Sequence, residues 1–240
     1  FNHMGATISF LKCFTKKLEL DFKDISPTEY KWTEGCNNHP FIYFDEKYTD
    51  KELSIFTYDY SFQYPTILAK SKLQIPLREG EEIHLTKLPR TLKFGFYRVK
   101  ISGNNSAFCF GKKNIYTHYD IKQAKILKLK VELIIDDEPN AYVYEKKDLI
   151  YTSKIFKEWY KYLLNLKTEY PKNRLVKHLG SSVWGSLSKA NTIHITEDKL
   201  DTLDLSIYDV VSIAYQKNKR YYKLVNTEKP YKTNYRLKDW

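Results

Sequence analysis

Cysteine, long apolar runs and repeats are what this sequence has least of. Its 240 residues hold three cysteines, Cys13, Cys36 and Cys109, widely scattered. They have neither the C-x-x-C spacing of a zinc site nor the even count of a disulfide framework, so reduced thiols in a cytosolic compartment are expected. No apolar stretch approaches the roughly 18 residues that a membrane-spanning helix requires. The N-terminus carries no secretory signal pattern, and Phe1-Asn2-His3-Met4 is left out of the fold argument. Internal repeats and low-complexity tracts are absent.

What is present is a globular composition. Hydrophobic residues make up 42% and charged residues 29%, which at this length supports a real core and one or two domains. The net charge is +11, from 40 Lys and Arg against 29 Asp and Glu, and there are 21 tyrosines. A basic chain rich in aromatics suits a phosphate backbone with stacked bases. An AT-rich genome yields the same abundance of Lys, Asn, Ile and Tyr, so charge alone does not decide for a nucleic acid.

Periodicity predicts an α+β architecture rather than regular βαβ winding. Residues 7–25 alternate loosely and read as a strand or extended segment broken by Pro27. Residues 35–40 form a turn cluster, and Phe41-Ile42-Tyr43-Phe44 reads as a short apolar strand. A run of β-formers over 54–58 leads to Asp59, and Thr66-Ile67-Leu68-Ala69 begins a helix after Pro65. Strands are expected within 83–101, with clean alternation from Phe96, and Phe108-Cys109-Phe110 is expected to begin the return strand. Asp120 is the expected N-cap of a helix over 121–129. Strands follow over 130–135 and 141–144, separated by the polar turn of residues 136–140. The strongest helical pattern opens at Ser153, with Ile155, Phe156, Trp159, Tyr160, Leu163 and Leu166 at 3–4 spacing. Pro171 ends that helix and starts a second, expected over 172–187 and folding back as a hairpin. Strands over 192–195, 210–215 and 221–225 follow, the last two joined by the basic turn Lys217-Asn218-Lys219-Arg220.

Two motifs carry the chemistry. The first is Asp59-Tyr60-Ser61-Phe62-Gln63-Tyr64-Pro65. A carboxylate at the end of a buried strand is costly unless a cation pairs with it, and a divalent metal is the usual partner. The second is Lys177-His178-Leu179-Gly180-Ser181-Ser182-Val183-Trp184-Gly185. On one continuous helix Lys177, Ser181 and Trp184 share a face. The first motif resembles motif A of family B DNA polymerases, D-x-x-S-L-Y-P, with Phe62 where the family has Ser. The second resembles their motif B, K-x-x-x-N-S-x-Y-G, with Ser181 for Asn and Trp184 for Tyr. The region between the motifs resembles the terminal-protein region of protein-primed members, the type found in viruses and linear plasmids. That likeness implies a cytoplasmic or virus-associated protein that is not secreted.

The resemblance implies a fold and a set of roles. The fold is a palm-like mixed sheet with an antiparallel two-helix fingers hairpin and an inserted strand-helix region. Its divisions are an extended segment over 1–34, a palm part over 35–77, the insertion over 78–150, fingers over 151–190 and a palm return over 191–240. Asp59 and the carbonyl of Tyr60 would hold magnesium. Tyr60, Ser61, Phe62, Tyr64, Lys167, Lys177, Ser181 and Trp184 would surround the incoming nucleotide, with Tyr64 beneath its sugar. Gly35, Asn37, Asn38, Arg174 and Gly185 would contact DNA. The partners implied are primer–template DNA, a deoxynucleoside triphosphate and a terminal protein. The family's motif C, D-T-D, has no match here: Asp201-Thr202-Leu203-Asp204 has the wrong spacing, and Asp136-Asp137 precedes motif B. A second polymerase fragment carrying motif C is therefore an implied partner. A non-catalytic nucleic-acid-binding or assembly protein of polymerase descent is the alternative.

Overall fold

The computed structural model describes residues 3–15, 25–36, 45–60, 62–216 and 219–234. It is α+β, with helices interspersed among small antiparallel sheets. The chain divides into two units. The first comprises Phe1–Asp24, Tyr64–Ile75 and Tyr151–Trp240, and the second Ile25–Gln63 and Pro76–Ile150.

The second unit is built on strand β3. In chain order its elements are α2 (Pro27–Gly35), β2 (Glu81–Ile83), β3 (Gly95–Ser102), β4 (Ile115–Thr117), α4 (His118–Ile126), β5 (Lys130–Leu133) and β6 (Ala141–Val143). β3 pairs antiparallel with β4 along one stretch and with β6 and then β5 along its length, while β2 extends the sheet beyond β6. Alternation assigns its two faces. Tyr97, Val99 and Ile101 point into a core with Tyr116, Ala141 and Val143, closed by Ile121 and Ala124 of α4. Phe96 lies on the other face beside Tyr142 and Tyr144, where Trp32 of α2 stacks on Tyr142 at 6.0 Å between centroids. Gly95 is required where β6 crosses: a Cβ there would lie 2.9 Å from Val143 Cα.

Two polar devices hold the loop between β5 and β6. Arg98 donates from Nη1 and Nη2 to the two carboxylate oxygens of Asp136, at 2.7 and 2.6 Å. Buried Asn140 donates to the carbonyls of Leu85 and Ile134 and accepts from the Leu85 amide at 2.7 Å. Burial of a polar side chain is tolerated because these bonds satisfy it. The helix α4 is capped by Thr117, with Asp120 closing a capping box at the third helical position, so Asp120 is not the N-cap expected. The return strand is β4; Phe108-Cys109-Phe110 is irregular.

The first unit is organised by α5 (Thr152–Glu169). Thr152, Ile155, Phe156, Trp159, Tyr160 and Leu163 are its buried face, matching the expected stripe. Around it lie α1 (His3–Thr15), α3 (Gln63–Lys70), α6 (Arg174–Ser181) and α7 (Val183–Ser186), while the short strands β1 (Gln74–Pro76) and β7 (Leu149–Tyr151) fall where the chain passes from one unit to the other. β8 (Ser188–Ala190) pairs with β12 (Tyr231–Asn234). β9 (Thr192–Thr196), β10 (Tyr208–Gln216) and β11 (Lys219–Asn226) form an antiparallel sheet in the order β10-β11-β9. The hairpin β10–β11 is the one read from the sequence; residues 217–218 of its turn lie outside the described residues.

Several expectations are corrected. Residues 7–15 belong to helix α1, not to a strand: Thr7 and Leu11 are buried at one-turn spacing, so the period is helical. Residues 16–24 and the strand expected over 41–44 lie outside the described residues. Pro27 opens α2, behind the N-cap Ser26. The second helix of the expected hairpin starts later and breaks at Ser182. Asn173, whose side chain accepts from the Leu175 amide at 2.8 Å, caps α6 in place of Pro171. In place of the expected mixed sheet, the described residues form separate sheets, of which the three- and five-stranded ones are antiparallel throughout.

His118 gives this architecture a pH dependence. Its ring lies against Phe94 at 4.4 Å, with Nδ1 3.3 Å from the Gly95 amide. Burial pushes the imidazole down to about 4, against a smaller upward pull from the Gly95 carbonyl and Asp120. The unfolded chain takes up this proton below about 6.5 and the folded chain only near 4, so stability falls as pH drops through that window. The stability difference between the native chain and His118→Gln should shrink by roughly 2–3 kcal/mol from pH 7 to pH 4 in urea titrations. A constant difference would show that the imidazole is not desolvated.

Candidate functional site

The first motif differs from its expected setting. Residues 51–60 form no helix or strand, and Ile55, Phe56, Tyr58 and Tyr60 are 78–90% exposed. Asp59 is exposed as well. The buried strand expected to deliver this carboxylate is thus not formed: no strand among the described residues pairs with 54–58, so these β-formers have no ladder to join there. Ser61 lies outside the described residues. Phe62 is half-buried with φ +55°, a left-handed turn residue immediately before α3.

The helix after the motif forms as expected and begins at Gln63. Pro65 is tolerated because it falls in the first turn, where its missing N–H has no partner to lose. Leu68 and Ala69 are buried and Tyr64 is exposed at 57%. Thr66 Oγ1 lies 3.1 Å from the Tyr160 hydroxyl of α5, and Lys70 Nζ sits 5.6 Å from the centre of the Tyr160 ring. Within the first unit, α3 and α5 are thus tied by a hydrogen bond and a cation–π contact.

The second motif falls on α6 and α7. Val176 and Gly180 are buried, and α6 packs against α5. Arg174, Lys177 and Ser181, at i, i+3 and i+7, are all exposed on the other side. Among the described residues Arg174 and Lys177 form no ion pair. Lys167, in the last turn of α5, is half-buried. The Ser181 hydroxyl donates to the Lys177 carbonyl at 2.9 Å, so it is engaged by its own helix. Because the helix breaks at Ser182, Trp184 belongs to α7 and does not share one continuous helix face with Lys177 and Ser181, as had been expected. A side chain added at Gly185 would meet nothing within 4 Å.

Gly35 ends α2 and is buried against Ile115, which accounts for the glycine by packing. Asn37 and Asn38 lie outside the described residues. The expected residues thus divide between the units. Gly35, Asp59, Tyr60 and Phe62 belong to the second; Tyr64, Lys167, Arg174, Lys177, Ser181, Trp184 and Gly185 belong to the first, where α3 and α6 both contact α5 and α7 contacts α6.

For magnesium, the donors that fit are hard oxygens, and the Asp59 carboxylate with the Tyr60 carbonyl supplies that chemistry for one ion. Among the described residues no three His, Cys, Asp or Glu side chains converge as a metal site. No described helix is long and apolar enough to cross a membrane. The sequence reading missed one surface, the exposed apolar strand β10; its signal was the uncharged run 210–216. Compared with known proteins, the chain matches no family model, no curated protein and no solved structure.

The open space at Gly185 yields a separable test. Gly185→Ala should leave the urea midpoint unchanged or raise stability by about 0.5 kcal/mol, as the helix gains a better former. A lowered midpoint would reveal a close neighbour at that position.

Proposed function

We infer that the chain is the palm-and-fingers portion of a protein-primed family B DNA polymerase. In this reading it adds deoxynucleotides to a primer 3′ end together with a partner chain that supplies the second catalytic aspartate. The observation that carries the reading is the grouping on α5. Tyr64 stands at the start of α3, which bonds α5 through Thr66 and Tyr160, while Arg174 and Lys177 stand exposed on α6, with no ion pair to another described residue, and α6 packs on the same helix. A ring suited to lie beneath a sugar and two cations suited to phosphates therefore belong to one unit.

Each residue has a task in this reading. Lys177 and Arg174 attract the triphosphate and the template backbone, and Lys167 adds positive charge at the end of α5. The Tyr64 ring lies where a 2′-hydroxyl would clash, and so excludes ribonucleotides. Asp59 and the Tyr60 carbonyl would hold magnesium, which when bound activates the primer 3′-oxygen and steadies the leaving pyrophosphate. The second carboxylate of such a site comes from the partner. The terminal protein is the expected source of the priming hydroxyl.

A second reading is a nucleic-acid-binding or assembly protein without catalysis. It is favoured by the exposure of Ile55, Phe56, Tyr58 and Tyr60 around Asp59 and by the Ser181 hydroxyl being bonded to its own helix.

Primer extension separates the two. With a fragment carrying the second aspartate, the chain should extend a primed template, and Asp59→Asn should abolish extension. Extension that survives the substitution removes Asp59 from the chemistry, and no extension with either chain favours the second reading. Tyr64→Val should raise ribonucleotide incorporation about tenfold or more; unchanged discrimination removes the sugar-gate role.

Binding alone gives an independent check. Replacing Arg174 and Lys177 with Ala should reduce the slope of log K against log salt by about 1.4 for single strands and about 1.8 for duplex DNA. An unaltered slope would take α6 out of the nucleic-acid contact.

A further inference from the structure

β10 is the outer strand of its sheet, and no strand among the described residues pairs with its second edge. Stable proteins blunt such edges by shortening, bending or charging them. β10 is nine residues long, and positions 210–216, Val-Val-Ser-Ile-Ala-Tyr-Gln, carry no charge in a chain of net charge +11. Val210, Val211, Ile213 and Tyr215 are 52–70% exposed.

The sheet has two unlike faces. The register sets Val210, Ile213 and Tyr215 on the face of Tyr222 and Leu224 of β11 and Ile193 and Ile195 of β9. The opposite face is more polar, with Ser212, Lys223, His194 and Thr196, and also carries Ala214, Tyr221 and Val225. Leu224 is buried, so the apolar face is covered at its centre and runs uncovered to the β10 edge.

We propose that β10 pairs antiparallel with β10 of a second copy of this chain, joining two three-stranded sheets into one of six. A register irregularity between Val210 and Ser212 leaves 212–216 as the regular stretch, with Ala214 at its middle. Pairing about Ala214 sets Ile213 of each copy opposite Tyr215 of the other, a β-branched residue against an aromatic ring, twice. Ser212 meets Gln216 on the polar face. The two-fold axis stands perpendicular to the sheet, so the apolar faces of both copies lie on one side and become continuous.

A second copy meets every demand of this edge. It supplies backbone N–H and C=O groups, the same alternation of apolar and polar residues, and no charge. A nucleic acid would find no cation along 210–216. Arg220, beside it, is held by Glu197 at 3.0 Å and stacks over Tyr215 at 5.2 Å. The contact is isologous and closes as a dimer.

Sedimentation of the full chain tests this. The chain should run at twice its 28.6 kDa mass, and Ile213→Lys with Tyr215→Lys should weaken the dimer about tenfold or more while the circular dichroism stays unchanged. In a Cys13→Ser background, Ala214→Cys should form an intermolecular disulfide under mild oxidant, since opposed residues stand about 4.5–5.5 Å apart, and Asp209→Cys should not. A monomer at every soluble concentration overturns the proposal and leaves the edge to a different occupant. A dimer indifferent to the two lysines, or one that Ala214→Cys does not cross-link, overturns it too. None of these outcomes depends on polymerase activity.

Discussion

Burial of β3, complete on one face and limited to the Phe96 end on the other, is the constraint from which the second unit follows. A strand with Tyr97, Val99 and Ile101 on one side and Phe96 on the other needs a cover for each face. α4 provides the first, through Ile121 and Ala124, and α2 the second, through Trp32. The polar residues are then arranged around what this burial leaves unsatisfied. Arg98, half-buried on β3, holds Asp136, and its guanidinium keeps that carboxyl below the usual range. Cys36 shows the same burial acting on a thiol: desolvation, helped by Asp120, pushes it up to about 12, so it stays protonated and inert.

The first unit obeys a different rule, that of the amphipathic helix. The apolar stripe of α5 is consumed by packing, which leaves Lys154, Lys157 and Lys161 on its outer side. α6 repeats the pattern at smaller scale, with Val176 and Gly180 inward and Arg174 and Lys177 outward. Packing thus selects which lysines face solvent, and the net charge of +11 becomes a set of oriented cations. Among the described residues only Lys161 of the α5 group is offset, by Glu158 at 3.0 Å. An ion pair so exposed adds little stability, so these cations contribute charge to the surface rather than ties within the fold.

The parts legible in the sequence were those with a long, single period. α5 and β3 were read with the right type because six or more residues in each repeat one spacing, and the β10–β11 hairpin because two runs of β-formers flank a basic turn. α1 was misread because Leu18-Glu19-Leu20-Asp21-Phe22 alternates so clearly that its period was extended back over residues that are helical. The break at Ser182 was hidden because Lys177 to Gly185 fits one helix in composition. The family's pattern reinforced that fit, while Ser181 and Ser182 both bond back to their own helix, a habit that favours helix ends. The stretch 54–58 marks the limit of propensity: β-formers make a strand only when another strand accepts them.

That last point bears on Asp59. Two unit charges 4 Å apart attract by about 1 kcal/mol in bulk water and about 4 kcal/mol at the dielectric typical of a protein surface. An exposed carboxylate on an irregular stretch therefore offers a cation little by itself. For Asp59 to act as a metal ligand, water must be excluded around it and a second carboxylate must approach. Ile55, Phe56 and Tyr58 flank it with apolar surface whose covering would do the first. The partner invoked to supply the missing aspartate would then have to meet both requirements at once. A partner that brought only the charge would leave Asp59 in water and the site weak. Covering the aromatics without adding a carboxylate would leave Asp59 desolvated with nothing to offset the cost.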